Sequence, residues 1–220
     1  MANMTTSLYI MRHGATADNS PNPTKDRVKG QLDLPLDRDG IQAAHEAGKA
    51  LQNSGVTAIV TSQMKRSIQT GQIVKGYLPD AKVVSTKMLN PWDVGAYTGQ
   101  SYAHVKNDLS RLQKNPMEAP PAGKQMKGEP YGDFLDRYKQ AMPRILGVAE
   151  KQPTLFVAHS RHLVALDGMM KGTEGDTTQV RDVTPPGTVL KLNVWAGDEK
   201  APEAEAKAPA GDGDGEQPGY

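Results

Sequence analysis

Residues Leu8 to Gly14 read LYIMRHG, a run of apolar side chains followed at once by an arginine, a histidine and a glycine. A short apolar run of this kind is typical of a strand that is buried in a parallel sheet. Ligand sites in open α/β sheets lie at the carboxyl ends of the strands, which is where Arg12 and His13 stand. The stretch therefore predicts an α/β fold and a ligand site at the end of its first strand.

Further strands are predicted by four apolar or alternating runs: Val56–Val60, Val83–Val84, Thr154–Ala158 and Val189–Trp195. Between them, apolar residues recur at helical spacing from Ile41 to Leu51 and from Leu135 to Ala149, and the longer helix opens at Asp133. The alternation of strands and helices predicts a single α/β domain, with a mostly parallel central sheet flanked by helices.

Two segments, Asn19–Asp39 and Leu89–Pro130, interrupt this alternation. Both are predicted to be long loops, and regular structure in the second is disfavoured by its prolines: Pro116, Pro120, Pro121 and Pro130. Loops of this length in a compact domain are usually lids or site-forming loops, with plain insertions as the alternative.

Composition limits the classes of partner. The 220 residues include 26 Lys plus Arg and 25 Asp plus Glu, which gives a net charge of +1. Proteins that bind nucleic acid or an anionic membrane normally carry a marked excess of positive charge, which this chain lacks. The absence of cysteine excludes disulfide scaffolds, cysteine-ligated metals and thiol nucleophiles. With no long apolar run and no basic segment followed by an apolar one at the amino terminus, the sequence predicts a cytoplasmic protein.

Residues 196–220 differ in composition from the rest of the chain. They are rich in Ala, Pro, Glu, Gly and Asp and show no apolar period. A segment of this kind buries too little apolar surface to offset the entropy lost on folding. The folded domain is therefore predicted to span residues 1–195, followed by a disordered tail.

Two more predicted strand ends bring charged and polar residues to the same edge of the sheet. His159 and Ser160 follow the strand Thr154–Ala158, and Arg66 lies in the helix after the strand that ends near Val60. Arginines and histidines gathered at one edge would reduce stability unless an anion bound there. The planar guanidinium group of an arginine can donate two hydrogen bonds to a phosphate group while an imidazole faces the phosphorus atom. The sequence therefore predicts a site for a small phosphorylated ligand. His162, further along the same helix as Ser160, is predicted to have a packing role or to support a neighbouring site residue.

Four motifs in order along the chain resemble those of the histidine phosphatase (phosphoglycerate mutase-like) superfamily: RHGATADN at Arg12–Asn19, GQLDLPL at Gly30–Leu36, SQMKRSIQT at Ser62–Thr70 and VAHS at Val157–Ser160. The resemblance covers about residues 7–195. It implies a three-layer sandwich and a metal-independent phosphomonoesterase of the phosphatase branch, with no cofactor.

The resemblance also implies a role for each matching residue. His13 would attack phosphorus, and His159 would stabilise the charged phosphoryl group. The residues that would bind the substrate are Arg12, Asn19, Gly30, Arg66 and Ser160. A nucleophilic histidine must be neutral, and the positive charge of neighbouring arginines lowers its pKa in that direction.

One stretch departs from the family pattern. The acid loop of the family supplies a glutamate in the pattern Leu-x-Glu-x-x-x-Gly, whereas Leu89–Gly95 reads LNPWDVG, so Pro91 stands at the glutamate position. Asp93 is the nearest carboxyl group in the loop and is predicted to be the proton donor, with Trp92 as apolar cover. Alternatively, Asp93 is a solvated loop residue without a catalytic role. Glu129 is the reserve candidate for the proton donor, or it is a residue of the substrate pocket.

Other functions stay open at this point. A phosphoglycerate mutase would return the phosphoryl group to a substrate, but Pro91–Gly95 differs from the Glu-Arg-His-Tyr-Gly of the mutase branch, which favours hydrolysis. A non-catalytic phospho-ligand binder would account for the missing glutamate. A metallohydrolase with His13 and His159 as ligands is disfavoured, because adjacent arginines repel a cation. The sequence predicts neither the physiological substrate nor the oligomeric state.

Overall fold

Apolar runs in the sequence form the strands of one five-stranded sheet in the computed structural model, which describes residues 5–19, 26–171 and 185–195. The strands are β1 (Thr5–Arg12), β2 (Ala58–Thr61), β3 (Lys82–Ser85), β4 (Thr154–Ala158) and β5 (Val189–Trp195). They lie in the order β3-β2-β4-β1-β5, with β5 antiparallel to β1 and the other neighbours parallel. The predicted, mostly parallel sheet is confirmed.

Helices cover both faces of the sheet. Within the described residues they are α1 (Arg38–Leu51), α2 (Lys65–Lys75), α3 (Tyr102–Lys114), α4 (Tyr131–Ala149) and α5 (Ser160–Lys171). Along β1, Leu8 and Ile10 pack in the core layer that contains α4 and α5, whereas Tyr9 and Met11 pack in the layer that contains α1 and α2. This two-residue alternation divides the core into two layers and produces the three-layer sandwich that the resemblance implied.

Helix α1 begins against the loop that follows β1. The side chain of Asp37 accepts a hydrogen bond from the Gly40 backbone N–H at 2.7 Å and so caps the helix. A Cβ atom on Gly14 would overlap the Gly40 carbonyl group, and one on Gly40 would overlap the backbone of Ala15. The two glycines therefore let α1 pack directly on the segment that carries His13.

The prediction of a structureless loop over residues 89–130 is wrong in its middle part, where α3 occupies Tyr102–Lys114. The prolines that suggested a loop all lie beyond the helix, from Pro116 onwards. Apolar residues recur at helical spacing inside the helix and bury one face of it: Val105, Leu109 and Leu112. Because the prolines come after the helix, they limit its length but do not prevent it from forming.

Some predictions fall on residues that the structure does not describe. Residues 20–25 of the first predicted loop and the predicted tail at 196–220 lie outside the described residues. Residues 26–37 carry no helix or strand, as predicted, apart from an isolated bridge between Arg27 and Ser101. None of the helices in the described parts of the chain is long and apolar enough to span a membrane.

Candidate active site

The register of the sheet brings the two predicted histidines together. Arg12, the last residue of β1, pairs with Ala158, the last residue of β4, so the next residues, His13 and His159, follow side by side. Their ring centroids are 4.9 Å apart, and the two residues are only 4% and 5% exposed. The prediction that these two strand ends meet is confirmed.

Two hydrogen bonds determine which nitrogen of His13 is available for reaction. Nδ1 lies 2.7 Å from the Gly14 carbonyl oxygen, which can only accept, so Nδ1 carries the ring proton. Nε2 is then unprotonated and accepts a hydrogen bond from Nε of Arg66 at 3.2 Å. The lone pair of Nε2 is therefore the nucleophilic position of this ring.

Burial and positive charge keep both imidazoles neutral. The pKa of His13 is lowered well below its usual value by burial first and by Arg66 next, and the hydrogen bond to Gly14 opposes this only in part. The pKa of His159 is lowered by burial, then by Arg66 and by His13. A neutral ring is the form in which histidine acts as a nucleophile.

Arg66 is held in place by the segment that precedes α1. Its NH1 group donates to the Leu32 carbonyl oxygen at 2.6 Å and its NH2 group to the Gly30 carbonyl oxygen at 3.1 Å, while Nε faces His13. Burial lowers the pKa of Arg66 to about 10, against the opposing effect of Asp33, so the guanidinium stays charged at neutral pH. Gly30, predicted to bind substrate, therefore also orients the arginine through its backbone.

Ser62 is a site residue to which the sequence analysis assigned no role. Its hydroxyl group lies 2.9 Å from Nε2 of His159, although the two residues are 97 positions apart. Its position directly after β2 becomes informative only once β2 is known to lie beside β4. Nδ1 of His159 is buried without a hydrogen-bond partner in the described parts of the chain. An unpartnered buried nitrogen costs free energy, which a bound ligand oxygen would offset.

All but one of the residues predicted to contact a phosphoryl group line one cavity. Its wall includes Arg12, His13, Arg66 and His159, together with the predicted substrate-binding residues Gly30 and Ser160. Other parts of the wall come from Pro91, Trp92 and Val94 and from one face of α3. Two arginines and two neutral imidazoles can hold a dianionic phosphoryl group against Nε2 of His13.

Asn19, which the resemblance implied as a hydrogen-bond donor to the phosphoryl group, does not line this cavity. Its Oδ1 accepts from the Thr16 backbone N–H at 3.0 Å and from the Thr16 hydroxyl at 3.2 Å. Its own backbone N–H donates to the Thr16 carbonyl oxygen at 2.7 Å. The Oδ1 atom therefore closes the turn after β1, and donation by the side-chain amide to a phosphoryl group stays a prediction.

The carboxyl group of Asp93, the predicted proton donor, is engaged within the loops. Oδ1 accepts from the Gly95 N–H at 2.9 Å and Oδ2 from the Gly128 N–H at 3.2 Å. The neighbouring Pro91 and Trp92 line the cavity, whereas Asp93 does not. Because both carboxylate oxygens already accept from the backbone, these contacts favour a role in holding the two loops together over the predicted proton donation.

Glu129, the reserve candidate, forms an ion pair with Arg137 of α4. Its two carboxylate oxygens lie 3.1 and 2.9 Å from Nε and NH2 of Arg137. One of them also accepts from the Asp93 N–H at 3.4 Å. Arg137 in turn donates to the carbonyl groups of Met88 and Asn90 at 3.1 and 3.0 Å. The pair therefore connects α4 to the acid loop.

His162 has the packing role that the sequence predicted. It is fully buried, and its ring centroid lies 5.2 and 4.9 Å from those of Phe134 and Tyr138. Neither ring nitrogen has a hydrogen-bond partner among the residues that the structure describes. Burial lowers the pKa of His162 to about 3, so the ring is neutral at neutral pH. Its centroid lies 5.7 Å from that of His159, which it supports from the core.

The chain matches one protein family over most of its length. The family model of the histidine phosphatase superfamily (branch 1) matches residues 8–201. A Proteus mirabilis protein named "Probable phosphoglycerate mutase GpmB" is 26% identical over 152 residues, which cover 69% of this chain and 68% of that protein. The protein of the same name from Erwinia tasmaniensis is 24% identical over 165 residues, covering 75% and 74%.

Solved structures share the fold. The native structure of a mycobacterial glucosyl-3-phosphoglycerate phosphatase has a TM-score of 0.67 at 19% identity and covers 86% of this chain and 91% of its own. A structure named "Mycobacterial hydrolase 2" has a TM-score of 0.69 at 19% identity, with coverage of 92% and 93%. At this level of identity the likeness shows the fold alone.

Proposed function

Because the chain belongs to the histidine phosphatase superfamily, we propose that it is a phosphomonoester hydrolase that acts through a phosphohistidine at His13, without a metal ion. One observation carries the proposal. Nε2 of His13 accepts a hydrogen bond from Nε of Arg66 at 3.2 Å, while Nδ1 holds the ring proton against the Gly14 carbonyl oxygen. An unprotonated nitrogen beside a guanidinium suits attack on a phosphoryl group.

The proposed reaction proceeds in two displacements. In the first, the Nε2 lone pair of His13 forms an N–P bond while the ester P–O bond breaks, and the departing oxygen takes up a proton to leave as an alcohol. In the second, water attacks phosphorus, the N–P bond breaks, its electron pair returns to Nε2, and inorganic phosphate leaves. The ring then regains the neutral tautomer with which it began.

Fixed positive charge and hydrogen-bond donors stabilise the phosphoryl oxygens in this proposal. Arg12 and Arg66 supply the charge, and Arg66 is already oriented by the carbonyl group of Gly30. His159 is oriented by the hydroxyl group of Ser62 at 2.9 Å. Groups that are held in place before the reaction lose little free energy to reorganisation during it.

The departing oxygen determines which esters react fastest. An alkoxide needs a proton, and Asp93 would supply one only after its carboxyl group left the amides of Gly95 and Gly128. Glu129 would first have to leave its ion pair with Arg137. We therefore expect the fastest turnover on esters such as aryl phosphates, whose leaving group departs without a proton.

Phosphoglycerate mutase activity is the second candidate, and the name of the sequence relatives supports it. In that reaction the phosphohistidine would pass its phosphoryl group to a hydroxyl group of a phosphorylated acid. The two candidates share the first displacement and differ only in the acceptor of the second. Interconversion of phosphoglycerates without release of phosphate would establish the mutase.

Release of inorganic phosphate from a panel of phosphate esters, with a chelator present, tests hydrolysis. The adduct trapped during turnover should be lost in acid and survive in alkali, as a phosphoramidate does, and His13→Ala should abolish both adduct and turnover. Turnover in His13→Ala, an acid-stable adduct or a requirement for added metal would each contradict the proposal. An adduct that forms but never turns over would indicate a non-catalytic relative.

A further inference from the structure

The two ring nitrogens of His159 have different surroundings. Nε2 lies 2.9 Å from the hydroxyl oxygen of Ser62, whereas Nδ1 is buried without a hydrogen-bond partner in the described parts of the chain. The ring is neutral, and a neutral imidazole donates a hydrogen bond from one nitrogen and accepts at the other. The nitrogen that holds the proton therefore determines what His159 offers to a ligand.

The hydroxyl group of Ser62 distinguishes the two tautomers. Ser62 is fully buried, and its oxygen accepts a hydrogen bond from the Met64 backbone N–H at 3.3 Å. Among the residues that the structure describes, Nε2 of His159 is the only group in hydrogen-bond contact with this oxygen that can accept its proton. Buried hydroxyl groups normally have an acceptor, so the hydroxyl of Ser62 donates to Nε2.

The number of unpaired groups favours the same tautomer. With the ring proton on Nδ1, the Nδ1–H is the one group of this pair without a partner in the part of the chain that the structure describes. With the proton on Nε2, the hydroxyl proton of Ser62 and the lone pair of Nδ1 would both be unpaired. Because each unpaired buried polar group costs free energy, the Nδ1–H form is the more stable one.

Nδ1 is the ring nitrogen that is left for the cavity. His159 lines the cavity together with His13, and the centroids of the two rings are 4.9 Å apart. Ser62, which binds Nε2, is not among the described residues of that wall. The capacity of Nδ1–H to donate is therefore kept for an oxygen of a bound phosphoryl group.

We propose that Ser62 is a positioning residue that fixes His159 in its Nδ1–H tautomer, so that this N–H donates to a phosphoryl oxygen while Nε2 of His13 attacks phosphorus. His159 then acts as a neutral hydrogen-bond donor, and the arginines supply the positive charge. The hydroxyl of Ser62 and the ring of His159 keep their protons in both displacements. This inference rests on the proposed function and identifies the group that prepares His159 for it.

Nuclear magnetic resonance of the full chain with isotope-labelled histidine tests the tautomer at neutral pH without catalysis. Long-range proton–nitrogen correlations separate protonated from unprotonated ring nitrogens, and the spectrum of His159→Gln identifies the His159 signals. We expect Nδ1 of His159 to be protonated and Nε2 unprotonated in the native protein, and the two tautomers to mix in Ser62→Ala. A native protein with a protonated Nε2, or an unchanged His159 pattern in Ser62→Ala, overturns the inference.

Kinetics on p-nitrophenyl phosphate test the consequence for the reaction. Ser62→Ala should lower kcat/KM about tenfold, because only part of the molecules then hold the Nδ1–H donor. Ser85→Ala is the matched control, since it removes an exposed hydroxyl that lies 2.8 Å from the hydroxyl of Thr61, the residue before Ser62. The control should change kcat/KM less than about threefold. Losses of equal size in the two variants, or a loss below about threefold in Ser62→Ala, overturn the inference.

Binding of inorganic phosphate separates this inference from the proposed reaction. Phosphate is titrated calorimetrically into His13→Ala, which has no nucleophile to phosphorylate, and into the same variant with Ser62→Ala added. We expect about tenfold weaker binding to the second protein, because its donor to the phosphate oxygen is held only part of the time. Equal affinities overturn the inference, whereas failure of the native protein to form a phosphohistidine overturns only the proposed function.

Discussion

Nε of Arg66 donates a hydrogen bond to Nε2 of His13 at 3.2 Å, so a guanidinium charge lies directly against the lone pair of the imidazole. The contact orients the ring and, together with burial, lowers the pKa of His13 well below its usual value. The ring therefore stays unprotonated in moderately acidic solution. The predicted activity therefore depends on both the position and the charge of Arg66.

Arg66→Gln should lower kcat/KM about 10²–10³-fold, because a preorganised charge on the phosphoryl oxygens is lost. The pKa of His13 should rise at the same time, since the guanidinium lowers it. The acid limb of the kcat/KM profile then moves to higher pH. Lys65→Gln is the control, because Lys65 is the exposed neighbour and pairs with Asp33 at 3.5 Å. A loss below threefold with an unmoved acid limb contradicts the assignment.

Asp93→Asn should slow an alkyl phosphate and p-nitrophenyl phosphate by similar factors. The substitution replaces the oxygen that accepts from Gly95 or the one that accepts from Gly128, so the loops lose a hydrogen bond. The free energy of unfolding should fall by about 1–3 kcal/mol, measured by urea titration. A loss of about 10²–10⁴-fold on the alkyl ester alone would instead identify Asp93 as the proton donor. Glu129→Gln, assayed on the same two esters, tests the reserve candidate.

His162→Leu should stabilise the protein at pH 7 by about 1–2 kcal/mol, because two buried ring nitrogens without partners in the described parts of the chain are removed. The folded-state pKa of about 3 is below the ordinary 6.5, so the unfolded chain binds the proton first as the pH falls. The proton linkage of His162 therefore costs almost no stability above pH 6.5, and it costs progressively more as the pH falls towards 3.

Urea titrations at pH 7 and pH 5 check this prediction. The native protein should lose about 2 kcal/mol at pH 5 for each histidine held neutral in this way, and His162→Leu should lose correspondingly less. His13 and His159 contribute with the same sign, so part of the acid sensitivity remains in the variant. Identical pH dependence in the two proteins would contradict a neutral, buried His162.

Gly14→Ala should destabilise the fold by about 2–4 kcal/mol and lower activity, because its Cβ would overlap the Gly40 carbonyl group and push α1 away from the His13 segment. Gly147→Ala is the matched control. Gly147 lies inside α4 with no atom close to an added Cβ, so this variant should gain about 0.5–1 kcal/mol. Thermal and urea unfolding of both variants measure the two changes in the free energy of unfolding. A Gly14→Ala protein as stable as the native protein would contradict the close approach of Gly14 to the Gly40 carbonyl group.

The sequence by itself determined the strands and the residues at their ends. A strand buried in a parallel sheet needs a continuous apolar run, and such runs identified β1 and β4. Chain order then placed His13 and His159 directly after them. Helix α3 also has a local apolar period, but the prolines that follow it concealed the helix at the sequence level.

Only the tertiary structure decided how distant loops meet. Asp93 binds the Gly128 N–H across 35 residues, and Ser62 binds His159 across 97. The same applies to the cavity wall that brings α3 and α5 together around Trp92. No local pattern encodes these contacts, because their partners come within hydrogen-bonding distance only after the strand order and the loop paths are set. Local periodicity therefore predicts the position of the proposed nucleophile, whereas the groups that orient it depend on long-range packing.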